Sequence, residues 1–154
     1  MSARELTQAA WACIESGDMD RLGTLFHPEA ELSTAAGGGS GRDYIVGLFT
    51  RHREGYPDVT HRVLDCIESA DGDAVALRLE FEATHLGELR GPFGTVSPTG
   101  RRLRWRSSDQ VRVRGDQIVS WHAQFDRLTV LQQLGQTLPS AAPVPADIRT
   151  GGTP

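Results

Sequence analysis

The chain has 154 residues, 38% hydrophobic and 23% charged, with a net charge of −4, which suits one globular domain with a real core. That balance excludes an overall basic field for nucleic acid, and no apolar run approaches membrane-spanning length.

Apolar residues at Leu6, Ala9, Ala10, Cys13 and Ile14 predict a helix over 4–16, ended by Gly17. The helical period and the acids of this first segment do not read as a secretion signal, so a cytoplasmic location is expected. Asp18 is placed to cap a second short helix carrying Leu22, Leu25 and Phe26, with Pro28 as its stop. A brief strand over 30–33 then meets "AAGGGSG", read as a flexible loop. Tyr44, Ile45, Leu48 and Phe49 mark a third helix, closed by Gly55 and Pro57.

The second half changes period. Segments 59–68, 75–86, 103–114 and 117–125 alternate apolar with polar residues and predict strands. "ADGD" and "RGDQ" supply tight turns between them, whereas "RGPFGTVSPTG" reads as a long loop. Leu128, Leu131 and Leu134 set a last short helix that Gly135 can terminate. Residues 1–136 form the expected domain, and 137–154 the expected flexible tail, too poor in apolar residues to offset its ordering entropy. Cys13 and Cys66 fall inside elements and are expected to be reduced. Helices first and antiparallel strands afterwards predict an α+β fold, a curved sheet covered by helices whose cone can hold a small molecule.

Strand alternation assigns faces. Val75, Leu77, Leu79, Phe81 and Ala83 share one side, which brings His85 to the end of an apolar row, as a structural histidine or a substrate contact. On the next strand Asp109 points the same way as Leu103, Trp105, Val111 and Val113. A carboxylate there is costly unless it is hydrogen-bonded or its pKa rises, which makes Asp109 a site candidate. The last strand offers a polar row, Ser120, His122, Gln124 and Asp126, against an apolar one, Val119, Trp121, Ala123 and Phe125. The polar row lines a pocket if both faces are covered and meets solvent if one is wet.

"LFHPEAEL", "THLGELRG", "SPTGRRLRW", "RVRGDQIVSWHAQFD" and "LQQLG", in that order, resemble the SnoaL-like polyketide cyclase family of the nuclear-transport-factor-two-like fold, over most of residues 5–135. The resemblance implies a cone-shaped α+β barrel without a cofactor that binds an aromatic or polyketide-derived substrate. It further implies that Asp126 matches the aspartate serving as acid/base for an aldol ring closure. His122, two residues earlier on the same strand face, is placed to donate to the oxyanion or to orient Asp126. Asp126 is also well placed as the N-cap of the last helix. Trp11, Tyr44, Phe81, His85, Trp105 and Gln124 are the expected substrate contacts. Trp121 and Phe125, opposite the polar row, suggest a homodimer paired through the convex sheet face. Two alternatives stand beside the cyclase: epoxide opening by Asp109 and Asp126 with His122, and a binding protein without catalysis. The five histidines are scattered, with no HExxH or CxxC cluster, so no metal is expected. "GGGSG" lacks the lysine of a phosphate loop, and no nucleophile elbow is present.

Overall fold

The first helix starts where its opening turn can satisfy its own amides. Ser2 Oγ accepts from the Glu5 amide (3.2 Å), and the Glu5 carboxylate accepts from the Ser2 amide (2.8 Å), a reciprocal cap. In this computed structural model, which describes residues 1–91 and 94–137, α1 (Ala3–Ser16) then buries Leu6, Ala10, Trp11 and Ile14 and ends at Gly17 with φ of 82°. Asp18 caps α2 (Met19–Thr24) by accepting from the Arg21 amide at 3.0 Å.

Two expectations for the next stretch are corrected. Pro28 does not stop a helix but lies inside β1 (Phe26–Thr34). It falls where the pairing with the last strand is interrupted between Phe26 and Glu31, so its missing N–H breaks no rung of the sheet. Within "AAGGGSG", residues 37–40 form β2 (Gly37–Ser40), paired with Glu31–Thr34 of β1. The glycines permit this because Gly39 lies against the Tyr44 ring, where a Cβ would come within 2.6 Å of it. The Tyr44 hydroxyl donates to the Gly38 carbonyl at 2.9 Å, tying the hairpin to α3 (Arg42–Gly55).

β3 (Thr60–Glu68) and β4 (Ala74–Thr84) follow as a hairpin. The segment expected to be a loop contains a separate two-stranded ribbon, β5 (Leu89–Gly91) with β6 (Gly94–Val96). β7 (Arg102–Arg114) and β8 (Gln117–Phe125) complete a six-stranded sheet of order β2-β1-β8-β7-β4-β3, and α4 (Arg127–Gln133) closes the described chain. β1 and β8 run parallel; the other neighbours are antiparallel. Helices α1 and α3 cover the inner face, so the sheet is wet on one side only. Both cysteines are free, and among the described residues no helix is long and apolar enough to cross a membrane.

Burial on β7 alternates without exception from Arg102 to Arg114, with Trp105, Ser107, Asp109 and Val111 inward and the arginines outward. On β8 a bulge at Val119 lets both Ile118 and Trp121 face in, because Arg112 pairs with Ser120 while Val113 pairs with Ile118. Trp121 is buried, and His122 and Gln124 are exposed on the convex side. The polar row of β8 therefore meets solvent, and Trp121 no longer argues for pairing through that face. The convex side carries charge instead. Glu80, only 3% exposed, lies under Arg62 (2.6 Å) and Arg106 (3.0 Å), and Glu82 pairs with Arg102 and Arg104.

The connection after β4 crosses the end of α3 at close range. The Leu86 and Gly87 amides both donate to the Gly55 carbonyl (3.0 and 3.2 Å). A Cβ on Gly87 would stand 1.9 Å from the Glu54 carbonyl oxygen, a backbone atom that cannot swing aside. Gly87→Ala is expected to destabilise the fold by about 1–3 kcal/mol in urea unfolding. An unchanged midpoint would mean that this crossing gives way freely.

Candidate functional site

Aromatic side chains from separate elements meet inside the cone without filling it. Phe81 of β4 and Trp105 of β7 stack face to face, with centroids 5.2 Å apart and planes at 15°. Trp11 of α1 leans over Phe81 at 4.7 Å and meets Trp121 of β8 edge-on at 5.6 Å. These rigid rings bound a cavity of about 640 Å³, roofed by the β5–β6 ribbon and α4.

One carboxylate lines it among the described residues, Asp109, which is 1% exposed. Trp121 Nε1 donates to its Oδ2 at 2.9 Å, and the Ser107 hydroxyl donates to its Oδ1. Burial pushes the Asp109 carboxyl above the usual carboxylate range. The two hydrogen bonds and the nearby His61 pull the other way without winning. Each carboxylate oxygen keeps a lone pair beyond the bond it accepts, so the group can still take a proton from a ligand.

α3 and the residue that follows it contribute two further groups. Burial pushes the Tyr56 phenol up to about 12, against an opposing pull from Arg127, so it is a hydrogen-bond donor at neutral pH. Burial lowers His52 to about 4, so its imidazole is neutral, and its Nε2 has no hydrogen-bond partner. Sequence reading misses both, although Phe49, His52 and Tyr56 continue the helical stripe of Ile45 by steps of three and four. Stopping that stripe at Phe49 hides them. Ser107 is legible as a neighbour of Asp109 on the same strand face.

Of the residues singled out in the sequence, Trp11, Phe81, Trp105 and Asp109 line the cavity, and Tyr44 stands at its mouth, 39% exposed. Four others lie elsewhere. Asp126 is exposed and caps α4: Oδ1 accepts from the Thr129 amide (3.0 Å) and Oδ2 from the Thr129 hydroxyl (2.6 Å). Those bonds hold its carboxyl below the ordinary value, the reverse of what a proton-accepting group near neutrality needs. His122 and Gln124 point away from the cone. His85 is buried outside the lining, where its Nδ1 accepts from the Thr99 amide (3.2 Å) and meets the Thr99 hydroxyl (3.0 Å). Asp126 and His122 are thus not brought together with Asp109, and the two-carboxylate arrangement for epoxide opening is absent from the described lining of the cavity. Thr137, assigned to the tail, lines the cavity beside Gln136; residues 138–154 lie outside the described part.

The model of a family described as SnoaL-like polyketide cyclase matches residues 3–134. Among solved structures, the chain is similar to IdmH, a proposed polyketide cyclase from Streptomyces antibioticus, at 28% identity and TM-score 0.72, covering 88% of this chain and 100% of that one. It is similar to AclR, a proposed hydroxylase from Streptomyces galilaeus, at 25% identity and TM-score 0.72, covering 92% and 85%. A proposed SnoaL-like polyketide cyclase from Jannaschia sp. CCS1 shares the fold, with TM-score 0.76 at 15% identity, covering 88% and 93%. No curated protein matches the chain.

The raised pKa of Asp109 fixes a stability test. An acid whose pKa is raised on folding binds its proton more tightly folded than unfolded. Stability is therefore lost as pH climbs from the unfolded value to the raised folded one, and the loss is complete above that. An asparagine at 109 can accept from Trp121 Nε1 with its carbonyl and carries no charge. Asp109→Asn should melt at a higher temperature than the wild type at pH 8, and the gap should close as pH falls toward 4. A variant that melts lower at pH 8 would show that the carboxylate is stabilised by its surroundings instead.

Proposed function

The chain belongs to the SnoaL-like polyketide cyclase family, and from that premise we propose that it closes a ring in a polyketide-derived substrate by an intramolecular aldol step with Asp109 as acid/base. The observation that carries this reading is the placement of Asp109: one buried carboxylate with a raised pKa, in an aromatic cavity large enough for a several-ring molecule. In its ionised form Asp109 takes a proton from a carbon flanked by carbonyls. The enolate carbon then bonds to a carbonyl carbon of the same molecule, and the resulting alkoxide recovers a proton from Asp109. One C–H bond breaks, one C–C bond forms, and the enzyme ends as it began. No oxidant or reductant is consumed.

Each neighbour has a physical task in that sequence. A carboxyl lifted toward neutrality is a better match for a weakly acidic carbon than an ordinary aspartate. Trp121 and Ser107 fix its orientation. Tyr56, protonated at neutral pH, is the donor for the oxygen on which charge develops. The stacked walls hold a flexible chain folded, so the reacting carbons meet at high effective concentration. A non-catalytic binding role would use the same walls but leave the raised acid without a task.

Asp109→Asn should abolish turnover while the fold persists, because an amide cannot take and return the proton. Tyr56→Phe should lower kcat by roughly 10–10²-fold. The acid limb of the pH–rate profile should lie above the ordinary carboxylate range, since the base must be ionised. Asp126→Asn should keep both activity and stability, and Asp126→Ala should keep activity but melt roughly 2–5 °C lower through the lost cap. Product analysis by mass spectrometry on candidate polyketides is the assay. Near-wild-type turnover by Asp109→Asn, or its loss in Asp126→Asn, would overturn the assignment.

A further inference from the structure

The charged residues of the cavity wall are distributed unevenly. Three guanidinium groups line it, Arg51 from α3, Arg90 from β5 and Arg127 at the start of α4. Arg51 and Arg90 are exposed and Arg127 is partly so, which sets them at the rim, while Asp109 is buried at the far end. Among the described residues no other carboxylate belongs to the wall. Glu88 pairs with Arg90 at 2.6 Å from outside it, and Arg127 also donates to the Ala35 carbonyl at 3.4 Å. A chain of net charge −4 thus gathers three guanidinium groups, that of Arg90 beside Glu88, on the outer wall of its aromatic cavity.

We propose that this rim is an anion subsite, and that the substrate carries an ionised carboxylate at the end of its ring system away from the reacting carbon. The proposal rests on the reading of the cavity as the substrate site. A neutral flat molecule gains little from guanidinium groups at its edge, whereas a carboxylate gains charge-assisted, two-pronged hydrogen bonds from them. The arrangement also selects orientation. With the anion at the rim, the opposite end of the molecule lies against Trp121 and Asp109. Entered the other way round, the substrate carboxylate would face the Asp109 carboxylate in a dry site, which costs free energy. The rim therefore delivers the enolisable carbon, and not the acid group, to the base.

The test uses paired probes, anthraquinone-2-carboxylate and its methyl ester, with the full chain at pH 7.5. All three tryptophans of the chain, Trp11, Trp105 and Trp121, line the cavity, so quenching of their fluorescence reports occupancy directly. The free acid should bind at least about ten-fold more tightly than the ester, and its advantage should shrink as salt rises. Arg51→Gln and Arg127→Gln should each weaken the acid about three- to ten-fold and leave the ester unchanged. The wild-type salt dependence tests the same charge effect with no substitution at all. Equal binding of acid and ester, insensitive to salt, would overturn the anion subsite while leaving the cavity reading intact. Failure of both probes to quench would overturn the cavity reading, and the subsite with it.

Discussion

Trp121 Nε1 reaches across from β8 to Asp109 Oδ2 on β7 at 2.9 Å, and the face that β8 presents depends on it. A carboxylate placed among Trp105, Val111 and Phe81 must find donors or lose its charge. Ser107, two residues earlier on the same strand, supplies one donor; the other has to come from a neighbouring strand. Trp121 can supply it only if it points into the cone, and its own buried N–H needs an acceptor as much as Asp109 needs a donor. The pairing commits Ala123 and Phe125 to the inside and His122 and Gln124 to the outside. Asp126 then emerges past the sheet edge, where the orphan amides of α4 capture it.

The aromatic walls follow from the same commitment. Trp121 inside gives Trp11 an edge-on partner, and Trp11 in turn covers Phe81, which stacks on Trp105. Rings held on several sides cannot collapse into the space between them, so the cavity stays open at a cost in packing free energy. Unfilled space of this size would be a defect in a purely structural core. Around a buried acid with a raised pKa it is the space that the proposed ring closure would use.

Most of the architecture is legible from periodicity. The strands over 59–68, 103–114 and 117–125 and the helix caps at Asp18 and Gly17 are local signals, and the alternation of β7 by itself turns Asp109 inward. What periodicity cannot carry is non-local. β8 has two rows that both make chemical sense, and only the partner across the sheet chooses between them. The glycines of β2 look like a loop because their strand is specified by the Tyr44 ring packed against them, not by any alternation of their own. Family likeness favours Asp126, yet a carboxylate beside a free helix terminus has a nearer use as a cap. His52 and Tyr56 escape notice because a helix end near proline draws attention to where it stops rather than to which face it keeps.

Strand parity gives the two faces of the sheet opposite electrostatics from the same sequence. Outward, β4 and β7 interleave Glu80 and Glu82 with Arg102, Arg104 and Arg106, and the pairing with arginine holds both carboxyls below their usual range. Inward, one residue over, burial drives Asp109 the other way. Glu80 shows that low exposure alone does not decide the direction, since it is 3% exposed yet lies against two guanidinium groups. The deciding difference is the partner. Cationic neighbours favour the charged form of Glu80, whereas an indole and a hydroxyl offer Asp109 hydrogen bonds without a compensating charge. A single arginine on the inner face of β7 would turn Asp109 into another structural ion pair. The alternation that keeps every arginine of that strand outside is what leaves an acid with a raised pKa within.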